Sequence, residues 1–200
     1  MLCGLVSSFL FFSSFFSPML IKKHQLSSIM VAKHIYVFPG TFDPFTRGHL
    51  YVAEVGSRIC DELIIAIGSN STKKTSLFTL DERLEMIQKS VEHLPNVVAD
   101  HYENEFLVDY ALRKNACAIL RGRRRSENPK DIKYEGTLAG MNRLMEPELP
   151  TIYVDTEGDL SKIEASWVRS FVTTRNWSQR IVAHVPPAVR DIMLRRFSDH

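Results

Sequence analysis

From Ile35 onward the chain alternates short apolar runs with stretches of helical periodicity, and no other feature restricts its fold as much. The runs at residues 35–38, 63–67, 97–101, 118–120 and 151–154 are brief, largely apolar and partly β-branched, as strands covered on both faces must be. Helical patterns lie between them. The clearest spans 79–93, where Thr79-Leu80-Asp81-Glu82 reads as a capping box and Leu80, Leu84, Ile87 and Val91 share one face. Others cover 48–60, with Leu50, Ala53 and Ile59 inward, then 107–114, 132–145, 164–173 and 187–197. One strand and one helix per about 30 residues is the cadence of a doubly wound α/β domain, here with a five-stranded parallel sheet and C-terminal helices. In such a domain ligands bind beyond the carboxyl ends of the strands.

Length and composition agree with this reading. Two hundred residues suffice for one domain with a substantial core. A formal charge of +2 is too small to imply a nucleic-acid or membrane partner, so neither is expected. Cys3, Cys60 and Cys117 show no metal-ligand spacing; they read as reduced, buried thiols of a cytoplasmic protein, with no metal held by the protein itself. Residues 1–29 differ from the rest. The stretch from Leu2 to Ile21 is apolar with interspersed serines, borderline in length for a membrane span and without the basic n-region of a signal peptide. Met30 is followed at once by the first strand pattern. Residues 1–29 therefore read as an apolar extension outside the fold, either an anchor or sequence upstream of the true start. A start at Met30 is the reading adopted, with 30–200 as the domain.

The chemistry gathers where strands end. Residues 37–49 read Val-Phe-Pro-Gly-Thr-Phe-Asp-Pro-Phe-Thr-Arg-Gly-His: a strand, a tight loop and a helix start. Gly40 and Gly48 let backbone approach a ligand closely, and a helix N-terminus presents N–H groups suited to phosphate. His49 can donate a hydrogen bond to phosphate oxygens from that first turn, and Thr41 can orient an attacking group. A lone histidine would read as a cap or packing residue. The two glycines, Thr41 and the strand–loop–helix setting together favour a phosphate site. Ser71-Thr72-Lys73-Lys74 follows the second strand at the same sheet edge, where Lys73 could offset charge developing in a transition state. Arg121-Gly122-Arg123-Arg124-Arg125 follows the fourth and supplies guanidinium forks for phosphate oxygens. Without aromatic neighbours, these arginines make nucleic acid the weaker reading.

Gly40-Thr41-Phe42-Asp43-Pro44 followed by Thr46-Arg47-Gly48-His49 resembles the HIGH-type nucleotidyltransferase superfamily, and within it the bacterial phosphopantetheine adenylyltransferases. The likeness runs from Ile35 to about Phe197 and takes in the stretch from Lys133 to Arg143 and Val185-Pro186-Pro187-Ala188-Val189. It implies a Rossmann-like nucleotidyltransferase fold, a homohexamer, ATP and 4′-phosphopantetheine as substrates, Mg²⁺ accompanying ATP, and coenzyme A as a feedback ligand. The implied catalytic residues are Thr41, His49 and Lys73. ATP would be met by Gly40, Phe42, Gly48, His49, Arg121, Gly122, Arg124, Glu135 and Ser166. The acceptor would be met by Thr41, Lys73, Glu105, Phe106, Leu107, Arg121 and Asn142. The implied reaction is in-line attack of a phosphate oxygen on the α-phosphorus of ATP.

The sequence departs from the family's pattern in four places, one of them the spacing from Lys73 to Phe78, about one residue longer than usual. Between Arg121 and Glu135 it is longer, with Asn128-Pro129 as a turn signal. Arg123 stands where an apolar residue is usual. Where the family has Ile-Ser-Ser-Ser at the start of a late helix, this chain has Ile163-Glu164-Ala165-Ser166. Two lost neutral hydroxyl bonds would cost ~1 kcal/mol each, and Glu164 brings negative charge toward a polyanion. Two alternatives follow: adenylyl or cytidylyl transfer to another phosphorylated acceptor, such as nicotinate mononucleotide or a polyol phosphate, and a catalytically slow nucleotide-binding module. Intact Thr41, His49 and Lys73 favour the enzyme.

Overall fold

Five strands, β1 (Ile35–Gly40), β2 (Glu62–Ser69), β3 (Val97–Glu103), β4 (Ala118–Arg124) and β5 (Thr151–Thr156), lie in one parallel sheet in the order β3-β2-β1-β4-β5. In the computed structural model the chain forms two units, Met1–Ala32 and Lys33–His200. Residues 32–69, 76–124, 137, 140–172 and 174–197 are described, and the sheet belongs to the second unit. The helices of that unit are α1 (Arg47–Ser57), α2 (Leu80–Ser90), α3 (Leu107–Arg113), α4 (Ala165–Phe171), α5 (Trp177–Arg180) and α6 (Pro187–Arg196), with a 3₁₀ turn at Gly158–Lys162. Residues 140–145 are helical as well. Among the described residues no helix is long and apolar enough to cross a membrane.

Both faces of the sheet are covered. Leu63, Ile65 and Ile67 of β2 enter one core with Phe38, Val52, Met86 and Ile87, which Trp177, Ile181 and Val189 extend from the C-terminal segments. Ile64 and Ala66 enter a second core with Val37, Val108, Ala111 and Ile119. Burial on both sides is why β1, β2 and β4 show apolar runs instead of alternation, whereas on the edge strand β3 Val98 is 43% exposed. The capping box of α2 forms as expected: the Thr79 hydroxyl accepts the Glu82 N–H at 3.2 Å, and the Thr79 N–H donates to Glu82 Oε2 at 2.8 Å.

Every strand continues past its apolar run, and β4 does so most. Arg121, Gly122, Arg123 and Arg124, expected as a loop, pair in register with Tyr153, Val154, Asp155 and Thr156 of β5. Beyond the core edge a strand is held by its partner ladder and not by apolar burial, so hydrophobic pattern does not report it. Ile59, expected inward, is 47% exposed because α1 ends at Ser57 and the chain turns there. Cys117 is exposed and Cys60 half-buried, not both buried as expected; Cys3 lies outside the described residues.

The register between β1 and its two neighbours opens a crevice. β1 pairs with β2 over six residues but with β4 only at Tyr36–Ala118 and Val37–Ile119. Past Val37 and Ile119 the two central strands part toward their carboxyl ends. This is the switch point of a doubly wound sheet, where connections leave to opposite sides and a gap opens.

Candidate active site

A cavity of about 380 Å³ occupies that gap, a volume suited to a small molecule. Gly40, Thr41, Phe42, Gly48 and His49 form one wall, and Arg121 and Gly122 of β4 form another. The start of α4 closes it with Glu164, Ala165, Ser166 and Arg169. Segments remote in sequence thus meet at one place. Lys73 and Glu135 lie outside the described residues, as does the side chain of Arg124.

The β1–α1 loop is shaped by close packing. Phe42 adopts a left-handed backbone with φ of 49°, an uncommon state for a residue with a side chain. Its ring folds back over Gly40, where an added Cβ would sit 2.7 Å from the ring edge, so only glycine fits there. The Phe42 ring is 2% exposed and packs edge-on against both Phe38 and His49. Its direct offering to a ligand is therefore backbone, while the ring supports His49. At Gly48 a Cβ would meet only ordinary contacts, the nearest at 3.6 Å from the Leu160 carbonyl oxygen. The space left by the missing side chain there belongs to the cavity. Gly122 also lines the cavity, yet its glycine is dictated by packing: a Cβ would lie 2.8 Å from Val52 Cγ2 of α1.

His49 is fixed by the helix cap. Thr46 is the N-cap of α1, and His49 is the third residue of the helix. The Thr46 N–H donates to His49 Nδ1 at 3.0 Å, and the Thr46 hydroxyl lies 3.1 Å from the same nitrogen. The His49 N–H completes the reciprocal pair with Thr46 Oγ1 at 3.4 Å. An atom that accepts a backbone N–H carries no proton of its own, so the imidazole proton resides on Nε2. The ring is thus held as a neutral N–H donor beside the cavity. A histidine in the place usual for Glu or Gln conceals this capping box from a sequence motif.

Thr41 is exposed at the end of β1, and its carbonyl accepts Nη1 of Arg83 at 2.9 Å. Arg83 is 7% exposed; in the sequence it looks like any polar residue on a helix, and nothing there signals its task. Ser166 does not offer its hydroxyl proton to the cavity, because it donates to Glu164 Oε2 at 3.0 Å. Glu164 is the N-cap of α4, makes no side-chain capping bond to that helix and lines the cavity. Arg123 serves β5: Nε and Nη2 reach Asp155 at 2.6 and 3.0 Å, and the guanidinium lies over the Tyr153 ring. This pairing accounts for an arginine at that position.

The residues expected at the acceptor do not all line this cavity. Thr41 and Arg121 do, whereas Glu105, Phe106 and Leu107 follow β3, two strands away from β1 along the same carboxyl edge. Glu105 is held by Arg113 Nη2 at 2.5 Å, and Phe106, 63% exposed, is the N-cap of α3. Asn142 belongs to the helical stretch at 140–145.

The profile of the cytidylyltransferase-like family matches residues 37–187. A phosphopantetheine adenylyltransferase from Syntrophotalea carbinolica is 38% identical over 169 residues, covering 84% of this chain and 97% of that protein. One from Geobacter metallireducens is 37% identical over 166 residues, covering 83% and 97%. Among solved structures, Plasmodium falciparum nicotinic acid mononucleotide adenylyltransferase complexed with NaAD superposes with a TM-score of 0.57. The match covers 82% of this chain and 96% of that one at 16% identity, a likeness of fold alone. A cavity at the β1–β4 gap, a capped histidine beside it and relatives matched along nearly their whole length agree: the chain belongs to the cytidylyltransferase-like family and, within it, to the phosphopantetheine adenylyltransferases.

Proposed function

We propose that this nucleotidyltransferase moves AMP from ATP to 4′-phosphopantetheine, giving dephospho-coenzyme A and pyrophosphate in coenzyme A biosynthesis. The observation that carries the reading is the neutral His49 donor held by Thr46 at a cavity walled by Gly40 and Gly48. A phosphate oxygen of the acceptor attacks the α-phosphorus in line, and the bond to the bridging oxygen of the β-phosphate breaks. The attacking oxygen is already ionised at neutral pH, so no nucleophilic side chain or general base is needed. The protein's work is positioning and charge stabilisation.

In this reaction Thr41 steers the acceptor phosphate, and His49 Nε2–H bonds an oxygen of the transferred phosphoryl group. Lys73 offsets charge on the α-phosphate and the nucleophile. Arg121 and Arg124, with the backbone at Ser166, hold the departing pyrophosphate. Mg²⁺ enters as part of the MgATP substrate, taking its ligands mainly from phosphate oxygens and water. Glu105, Phe106, Leu107 and Asn142 receive the pantetheine arm outside the nucleotide cavity. The protein works in the cytoplasm as a homohexamer, with coenzyme A as a feedback ligand.

Glu164 supports a second reading, the same transfer to a different phosphorylated acceptor, because its carboxylate lines the cavity beside the only hydroxyl kept in that stretch. Pyrophosphate release from ATP, with phosphopantetheine, nicotinate mononucleotide and glycerol 3-phosphate offered separately, tests both. Release with phosphopantetheine alone supports the main reading; release with another acceptor moves the substrate and keeps the mechanism. A folded protein that binds ATP and releases nothing is a binding module.

A further inference from the structure

Asp43 lies in the β1–α1 loop between Thr41 and His49 and is 4% exposed. Both carboxylate oxygens are engaged by backbone: Oδ1 accepts the Phe78 N–H and Oδ2 the Leu77 N–H, each at 2.9 Å. Leu77 and Phe78 belong to the segment that leads into α2. From the other side, Arg169 of α4 donates Nη1 to the Asp43 carbonyl oxygen at 2.5 Å, with its Nε 3.9 Å from Oδ2. Arg83 of α2 adds a parallel tie, donating Nη1 to the Thr41 carbonyl at 2.9 Å and Nε to the Thr79 carbonyl at 3.3 Å. Burial pushes the Arg83 guanidinium pKa down, and the nearby Asp43 carboxylate opposes that shift.

A carboxylate this buried is tolerated only if its lone pairs are met by donors and its charge by cations, and here both conditions hold. The three segments it joins are far apart in sequence. The loop of residues 41–49 carries Thr41 and His49, the segment ending at Phe78 follows the lysine pair, and α4 carries Arg169 and Ser166 at the cavity wall. Asp43, Arg83 and Arg169 each reach the backbone of another of these segments, and together they close the junction.

We infer that Asp43 is a positioning residue: its two oxygens and its carbonyl set the β1–α1 loop, the entry to α2 and the start of α4 in one register, so that phosphate-contacting groups on separate segments converge. The inference rests on the proposed nucleotidyl transfer for its kinetic readout. Asparagine is nearly isosteric but presents an NH₂ where one of the two backbone N–H groups needs an acceptor. Segments that shift by a fraction of an ångström lose transition-state contacts before they lose ground-state binding.

The test is Asp43→Asn in the full chain, with turnover counted per nucleotide-binding site titrated by ATP. The expected result is a fall in kcat of roughly 10²-fold with KM for ATP changed by less than about threefold. Turnover per site equal to wild type would overturn the inference, because a purely structural role lowers the number of sites and leaves each site's rate alone. Amide hydrogen exchange gives a measure independent of the variant's folding and of the reaction. In the unmodified protein the Leu77 and Phe78 amides should exchange on the order of 10²-fold more slowly than in an unstructured chain. Exchange at the unstructured rate would remove the clamp. Inactive wild type with protected amides would defeat the proposed reaction; faster exchange at Leu77 and Phe78 in Asp43→Asn would then carry the positioning role, and unchanged exchange would end it.

Discussion

The Thr46 N–H donates to Nδ1 of His49 at 3.0 Å, and this bond decides which proton the imidazole can offer. Protonating Nδ1 would set two N–H groups against each other, so the geometry favours the neutral ring with its proton on Nε2. His49→Ala should therefore lower kcat by roughly 10²- to 10³-fold, the scale for losing one donor to a transition-state oxygen. The fold should survive, since Thr46 keeps its helix-cap position. Equal turnover, measured by pyrophosphate release, would remove His49 from the chemistry.

Glu164 and Ser166 form a second pair at the cavity, the hydroxyl donating to the carboxylate at 3.0 Å. Glu164→Ser removes a negative charge and frees the Ser166 hydroxyl for phosphate. ATP affinity should rise by about fivefold to tenfold, matching ~1 kcal/mol for one recovered hydrogen bond with a small electrostatic gain. Isothermal titration with and without Mg²⁺ reads this directly. Unchanged affinity would place the Glu164 carboxylate out of reach of the phosphates.

Gly122 is constrained by Val52, whose Cγ2 would stand 2.8 Å from an added Cβ. Gly122→Ala should cost roughly 1–3 kcal/mol of stability by overpacking. Gly122→Ala combined with Val52→Ala should recover part of that loss, a non-additivity visible in denaturant unfolding. Additive losses would mean the backbone yields instead of the side chain.

Part of the acid limb of stability should trace to α2 and α6. Burial alone would raise the Glu82 carboxyl, but Arg196 and the Thr79 N–H outweigh it and hold the group below the ordinary carboxylate range. Glu85 is lowered chiefly by Arg195, with Lys89 second. A carboxylate depressed on folding contributes stability above its unfolded pKa and loses it as pH falls through the folded value. Glu82→Gln with Glu85→Gln should therefore be less stable than wild type at neutral pH, and the gap should close below about pH 4. Both groups are open to solvent in part, so the effect is small and salt should reduce it further. A gap independent of pH would assign the loss to packing.

Much of the fold was legible because it rests on local rules. Apolar runs of strand length, the Thr79–Glu82 capping box and the glycine-bearing turn after β1 each act within a few residues, and each appears where its pattern falls. The conjunction of Gly40, Gly48 and His49 at a strand end was likewise readable, since strand, loop and helix start are consecutive in the chain.

What the tertiary structure alone decided depends on partners distant in sequence. Arg121–Arg124 are strand residues because β5 pairs with them, and no local hydrophobic period records that ladder. Gly122 lines the cavity at the β1–β4 gap, but its lack of a side chain answers to Val52. Asp43 stands in the motif after β1 with no role of its own legible there, and Arg83 reads as an ordinary polar residue, until folding buries them against Leu77, Phe78 and the Thr41 carbonyl. A buried polar group is compensated by whichever partners the fold brings to it, and those partners sit 34 to 126 residues away.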